Sequence, residues 1–151
     1  MSQPPPQKPA VFIDADALIA GSASNSGASH LILQLSELGL IDAVCSEQVR
    51  RESERNLTTK LPAAIPAFRL LADAAVRWVG NPRTRELENY RGQADPEDLP
   101  ILVAALQAGC DSLITFNVRH YWPKDRALRI ETPGDFLTRL RRHLEELSEQ
   151  A

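Results

Sequence analysis

Short β-rich runs recur along the chain, and segments with helical spacing follow them. Residues 11–14 read as a first strand and residues 21–27 as a polar loop rich in serine and glycine. "ASHLILQLSELG" then places Leu31, Leu35 and Leu38 at helical spacing and stops at Gly39, a residue suited to the left-handed position after a helix. Residues 42–45 form a second strand, Ser46 caps the helix "EQVRRESERNL", and "PAAIPAFRLLADAA" supplies another helix after Pro62. "VRWV" is a third strand, and residues 81–94 are a polar surface excursion. "DPEDLPILVAALQAG" has acidic and proline residues at its start and glycine at its end, the punctuation of a helix. "SLIT" and "LRIE" are the fourth and fifth strands. "PGDFLTRLRRHLEEL" closes the chain as an amphipathic helix, with Phe136, Leu137, Leu140, Leu144 and Leu147 on one stripe read as core. This alternation predicts an α/β fold: a parallel sheet of about five strands, right-handed crossovers, and helices on both faces.

With 151 residues there is room for one domain, expected over residues 11–151. "MSQPPPQKPA", with three successive prolines, reads as a flexible extended tail over residues 1–10, neither a signal peptide nor a membrane segment. No run approaches the ~18 apolar residues of a membrane span, so a cytoplasmic location is expected. Cys45 and Cys110 lack a CxxC spacing and read as buried free thiols, and three scattered histidines give no zinc-like cluster. The net charge of −3 argues against a protein that coats a duplex with a globally basic surface, but leaves room for a local basic groove.

The carboxylates carry the chemistry. "VFIDADALIA" breaks an apolar run with Asp14 and Asp16, where a buried strand should hold no charge. In an open parallel sheet, ligands bind outside the carboxyl ends of the strands. Asp14 and Asp16 lie at that end of the first strand and Asn117 just past the fourth, while Glu52 and Asp98 start helices that follow strands. Carboxylates gathered there repel one another unless a cation neutralises them, and magnesium or manganese prefers such oxygen ligands. An ion of this kind activates water for attack on a phosphate without a side-chain nucleophile. No GxSxG elbow, GxxxxGK[ST] loop or GxGxxG fingerprint is present to suggest another chemistry.

"VFIDADALI", "SEQVRRESERNL", "EDLPILVAALQAGCDSLITFNVRHY" and the final strand and helix together resemble a PIN-domain ribonuclease, the fold of many bacterial toxin–antitoxin toxins. The resemblance implies a three-layer α/β/α domain in which Asp14, Glu52, Asp98 and Asn117 form the catalytic set, the three acids as ligands of Mg2+ or Mn2+. Asparagine at the fourth position departs from the commoner aspartate and brings no negative charge. Thr115 corresponds to a small hydroxyl residue that orients Asn117 or a water on the ion, and Asp16 is a supporting acid. RNA as substrate, a homodimer and a neutralising protein antitoxin follow from the same resemblance.

Each assignment has a plainer competitor. Asp14 suits a turn, Asn117 likewise, and Asp98 with Asp95 and Glu97 suits the first turn of a helix, where Asp95 is the best candidate for a pure cap. On the third helix Val49, Ser53 and Leu57 form the inward stripe, and Glu52 and Glu54 flank it almost equally; only the family alignment favours Glu52. Arg50, Arg51 and Arg119 are the expected phosphate contacts, with Arg55 on the same helix as the first two, although solvated charge is the commoner fate of any one arginine. Tyr121 and Trp122 suit either base stacking or loop packing. Two other classes compete: a PIN-like nucleic-acid-binding module without activity, which neutral Asn117 favours, and a phospho-accepting receiver domain. "VRWVGNP" and "LRIETPG" lack the further Asp and Lys that the receiver needs.

Overall fold

The computed structural model of the chain describes residues 8–150. Strands β1 (Ala10–Ile13), β2 (Asp42–Ser46), β3 (Val76–Val79), β4 (Ser112–Ile114) and β5 (Arg129–Glu131) form one sheet in the order β3-β2-β1-β4-β5, with every neighbouring pair parallel. Helices α1 (Ala15–Ala23), α2 (Ala28–Glu37), α3 (Glu47–Lys60), α4 (Ile65–Ala75), α5 (Leu99–Gln107) and α6 (Pro133–Glu149) complete the three-layer α/β/α arrangement. Val11, Phe12, Ala43, Val44 and Leu113 are wholly buried, as strands covered on both faces must be. Ser46 caps α3 as its position predicts, accepting from Val49 N, and Gly39 and Gly109 end α2 and α5 with positive φ. Among the described residues no helix is long and apolar enough to cross a membrane. Cys45 and Cys110 are buried free thiols, and burial pushes Cys110 up to about 12, which leaves it unreactive near neutral pH.

The chain runs outward from β1 through β2 to β3, then returns to lay β4 on the other side of β1. The crevice between the carboxyl ends of β1 and β4 is therefore the switch point of the sheet, where an open α/β fold takes its ligand. Backbone pairing closes it: Asp14 N donates to Ile114 O at 2.9 Å.

Four features depart from the sequence expectations. Residues 1–7 of the expected tail lie outside the described residues, but Ala10 already belongs to β1, and Asp42 N donates to Pro9 O at 2.9 Å. Residues 15–23, where no helix was foreseen and where the polar loop was to begin at Gly21, form α1, so the loop shrinks to residues 24–27. Asp14 starts that helix from an extended conformation (φ −75°, ψ 163°). On α2 the buried positions are Ile32 and Leu33, whereas Leu31 is 43% and Leu38 75% exposed. The outward leucine stripe yields because α2 must lie closely on α1: His30 Nδ1 donates to Gly21 O at 2.8 Å. Finally, α6 buries Phe136 and partly buries Leu137 and Leu140, but Leu144 and Leu147 are half exposed. Its 17 residues make a helix roughly 25 Å long, whereas the three-residue strand β5 beside it spans only roughly 10 Å, so the far turns have no sheet beneath them.

Candidate functional site

Asp14 leaves β1 directly into the crevice and is 7% exposed. Three neutral donors hold its carboxylate. Oδ1 accepts from Ala15 N at 2.7 Å, and Oδ2 accepts from Thr115 Oγ1 at 3.1 Å and from Tyr121 Oη at 2.7 Å. Thr115, fully buried at the end of β4, accepts in turn from Asn117 N at 3.0 Å.

Asp16 faces the same crevice. Its Oδ2 accepts from Phe116 N at 3.1 Å and from Asn117 Nδ2 at 3.0 Å. Asn117 thus uses its amide to bind Asp16, which an aspartate at that position would repel. Burial, and then the neighbouring charge of Asp14, push the Asp16 carboxyl up from 3.8 to about 6.

Glu52 and Asp98 complete the grouping. Both line an open cleft with Arg55, Asn56, Thr59 and Glu97. Burial pushes both carboxyls up, and after it come the charges of Asp14 on each and of Asp98 on Glu52. The packing resolves what helical spacing left open on α3. Val49, Ser53 and Leu57 face inward as expected, Glu52 turns to the crevice with Gln48 Nε2 donating to it at 3.0 Å, and Glu54 turns away to pair with Arg69 at 3.0 Å.

Asp98 stands at the foot of α5 without capping it by its side chain. Asp98 occupies the N-cap position, and both its carboxylate and that of Asp95, the candidate for a pure cap, turn to His120, whose Nδ1 lies 3.0 Å from Asp98 Oδ2 and 3.6 Å from Asp95 Oδ2. Among the described residues, Asp95, Asp98 and His120 are the group whose ligand-type atoms come within 4.8 Å of one another. The donor set fits a hard divalent ion that keeps part of its water shell: Glu52 and Asp98 line one cleft, Asp14 is near enough for its charge to act on both, and among the described residues no arginine or lysine is paired with any of the three.

The arginines divide. Arg50, expected at phosphate, instead lies with its guanidinium 4.0 Å from the centre of the Trp78 ring and within 4.0 Å of Glu47 and Asp73, so it serves the packing of α3 on β3 and α4. Arg51 is exposed on α3, Arg119 is exposed between Asn117 and His120, and Arg55 lines the cleft itself. Of the two readings for Tyr121, loop packing holds, since it is 4% exposed, but its hydroxyl on Asp14 had no signal in the sequence beyond its place four residues after Asn117.

The raised carboxyls make a prediction for the metal-free protein. A carboxyl whose folded pKa exceeds its unfolded value stabilises the fold below the unfolded value, and that stability is lost as pH rises through the folded one. For Asp16 the window runs from about 4 to about 6. With chelator present, wild type should lose on the order of 1 kcal/mol across it from this half-buried group, a few degrees of melting temperature, relative to Asp16→Asn. Parallel wild-type and variant profiles over that window would discard the account.

Comparison with known proteins adds the following. A family profile described as PIN domain matches residues 10–119. A chain of the VapBC2 complex of Rickettsia felis, bound to a DNA fragment from its promoter, superposes with a TM-score of 0.60 at 13% identity, over 82% of this chain and 98% of that one. At such identity the likeness is one of fold. VapC20 of Mycobacterium tuberculosis, a sarcin-ricin loop cleaving toxin, aligns with a TM-score of 0.47 at 16% identity, over 68% of this chain and 86% of its own. No curated protein sequence matches.

Proposed function

Because the chain belongs to the PIN-domain family, we propose that it is a ribonuclease dependent on Mg2+ or Mn2+, acting on RNA phosphodiester bonds as the toxin of a toxin–antitoxin pair. One observation carries the reading: Glu52 and Asp98, from α3 and the start of α5, line one cleft, and after burial the charge of Asp14, at the end of β1, pushes both of their carboxyls up. These three would hold the ion. When bound, the ion supplies an activated water and offsets negative charge on the scissile phosphate. The chain's own residues do the remaining work. Asn117, anchored to Asp16, closes the β4 side of the crevice without adding charge; Arg55 in the cleft and the exposed Arg51 and Arg119 offer guanidinium groups to phosphates along a strand. A protein antitoxin belongs to the same reading, supported by the fold that the chain shares with a chain of the VapBC2 complex, and a homodimer belongs to it through the family resemblance alone.

The test is cleavage of a panel of labelled single-stranded RNAs. Wild type should cut at least one RNA with added Mn2+ or Mg2+, and an excess of chelator should stop it. Binding without cleavage under every metal condition would favour the inactive nucleic-acid-binding module, a reading that the neutral Asn117 supports.

A further inference from the structure

We infer that Tyr121 is a positioning residue for Asp14, fixing which carboxylate oxygen faces the ion; the inference rests on the reading of Asp14 as a metal ligand. An ionised carboxylate has about four lone-pair sites. On Asp14 the chain fills three of them: Thr115 Oγ1 and Tyr121 Oη both donate to Oδ2, and Ala15 N donates to Oδ1. The site left open is on Oδ1. Asp14 is thereby committed to ligation through one oxygen, and its side chain cannot rotate without breaking two hydroxyl contacts in a buried place.

Tyr121 is built to hold that contact. It is 4% exposed, and its hydroxyl, 2.7 Å from Asp14 Oδ2, donates to that oxygen. Its backbone is bridged to Ala94 in the loop before α5. On either side of it, Asp95 N donates to His120 O at 2.9 Å and Trp122 N donates to Gln93 O at 2.6 Å, while Lys124 N donates to the Gln93 side chain at 2.9 Å. Residues 117–121 therefore form a short strap tied down at its far end. Its members reach three different carboxylates: Asn117 reaches Asp16, His120 reaches Asp98 and Tyr121 reaches Asp14. Of these, only Tyr121 binds Asp14, and it does so through a group that phenylalanine lacks while keeping the ring.

The experiment is a calorimetric titration of full-length protein with Mn2+, alongside the electron paramagnetic resonance spectrum of the bound ion, for wild type, Tyr121→Phe, Thr115→Val and Asp14→Asn. Losing an outer-shell partner of a ligand typically weakens a metal site by 10- to 100-fold. Tyr121→Phe should therefore bind Mn2+ at least tenfold more weakly, with an altered spectrum. Thr115→Val, which frees the same oxygen with little change of shape, should weaken binding in the same direction. Melting curves without metal separate a structural role: a lower melting temperature in Tyr121→Phe with Mn2+ affinity within twofold of wild type overturns the inference, provided Asp14→Asn has lost binding. If Asp14→Asn binds Mn2+ as wild type does, the metal-ligand reading itself falls and takes this inference with it.

Discussion

On the function proposed, Asp14→Asn should reduce metal-dependent RNA cleavage on the order of 10^3-fold while leaving the protein folded, because it removes one of the charges that would hold the ion where phosphate charge must be offset. Retention of fold is expected on particular grounds. Asparagine keeps an oxygen that can accept from Thr115 and Tyr121, and loss of the charge relieves Asp16, Glu52 and Asp98, each of which has its pKa raised by Asp14. Asp98→Asn should behave alike. Glu54→Gln, on the surface beside Arg69, should cut RNA as wild type does. Cleavage rates measured with circular dichroism melts on the same preparations check all three. An Asp14→Asn protein that is folded and cuts at the wild-type rate would remove Asp14 from the machinery.

Gly21→Val is expected to cost about 3 kcal/mol or more, in the range of severe overpacking, and to lower the melting temperature by roughly 10 °C. A Cβ at Gly21 would stand 2.8 Å from Leu33 Cδ1 and 2.9 Å from Ser29 O. The leucine methyl can turn aside, but the carbonyl belongs to α2 and cannot move without the helix. Moving α2 would disturb Ile32 and Leu33, both 1% exposed, and the contact of His30 with the Gly21 carbonyl. Gly134→Ala is the matched control. Gly134 lies in the first turn of α6 with open space around the missing Cβ and without a left-handed backbone, so alanine there should be neutral or slightly stabilising. Equal melting temperatures for Gly21→Val and wild type would show that α1 and α2 do not meet as described.

The strand order of the fold could not be read from residue types, but strand identity could, because each run of buried β-rich residues is bounded by strong helix punctuation. What failed was local and explicable. "ADALIAGSA" has no polar face of its own, since α1 is covered on several sides, so its helical period is weak and its glycine and serine read as loop. On α2 two stripes were available, Leu31 with Leu35 and Leu38, or Ile32 with Leu33, and only the close approach at Gly21 selects the second. The stripe of α6 was real, yet nothing in its pattern says where the sheet beneath it stops.

At the site, Asp14, Asp16, Asp98 and Asn117 were legible because a carboxylate or amide at a strand end or helix start has a position that topology alone sends to the crevice. Glu52 was not separable from Glu54 by angle, and the packing of α3 decided it. Arg50 read like its neighbours on α3 and was claimed instead by an aromatic ring on β3, a tertiary partner that sequence cannot announce. Tyr121 is the clearest case: the distance that matters spans 107 positions of chain.

That span also governs when the cleft can exist. Thr115 meets Asp14 across 101 positions, and Tyr121 meets it across 107. Contacts so remote in sequence form only after the intervening chain has closed its loop, which places them among the slow events of folding. During translation, a chain whose β4 and strap are still within the ribosome has β1 with its carboxylates but lacks the partners that orient them. On the function proposed, activity would switch on only after residue 121 has emerged and β4 has docked beside β1, so the ribosome making this protein would face little of its nuclease before then.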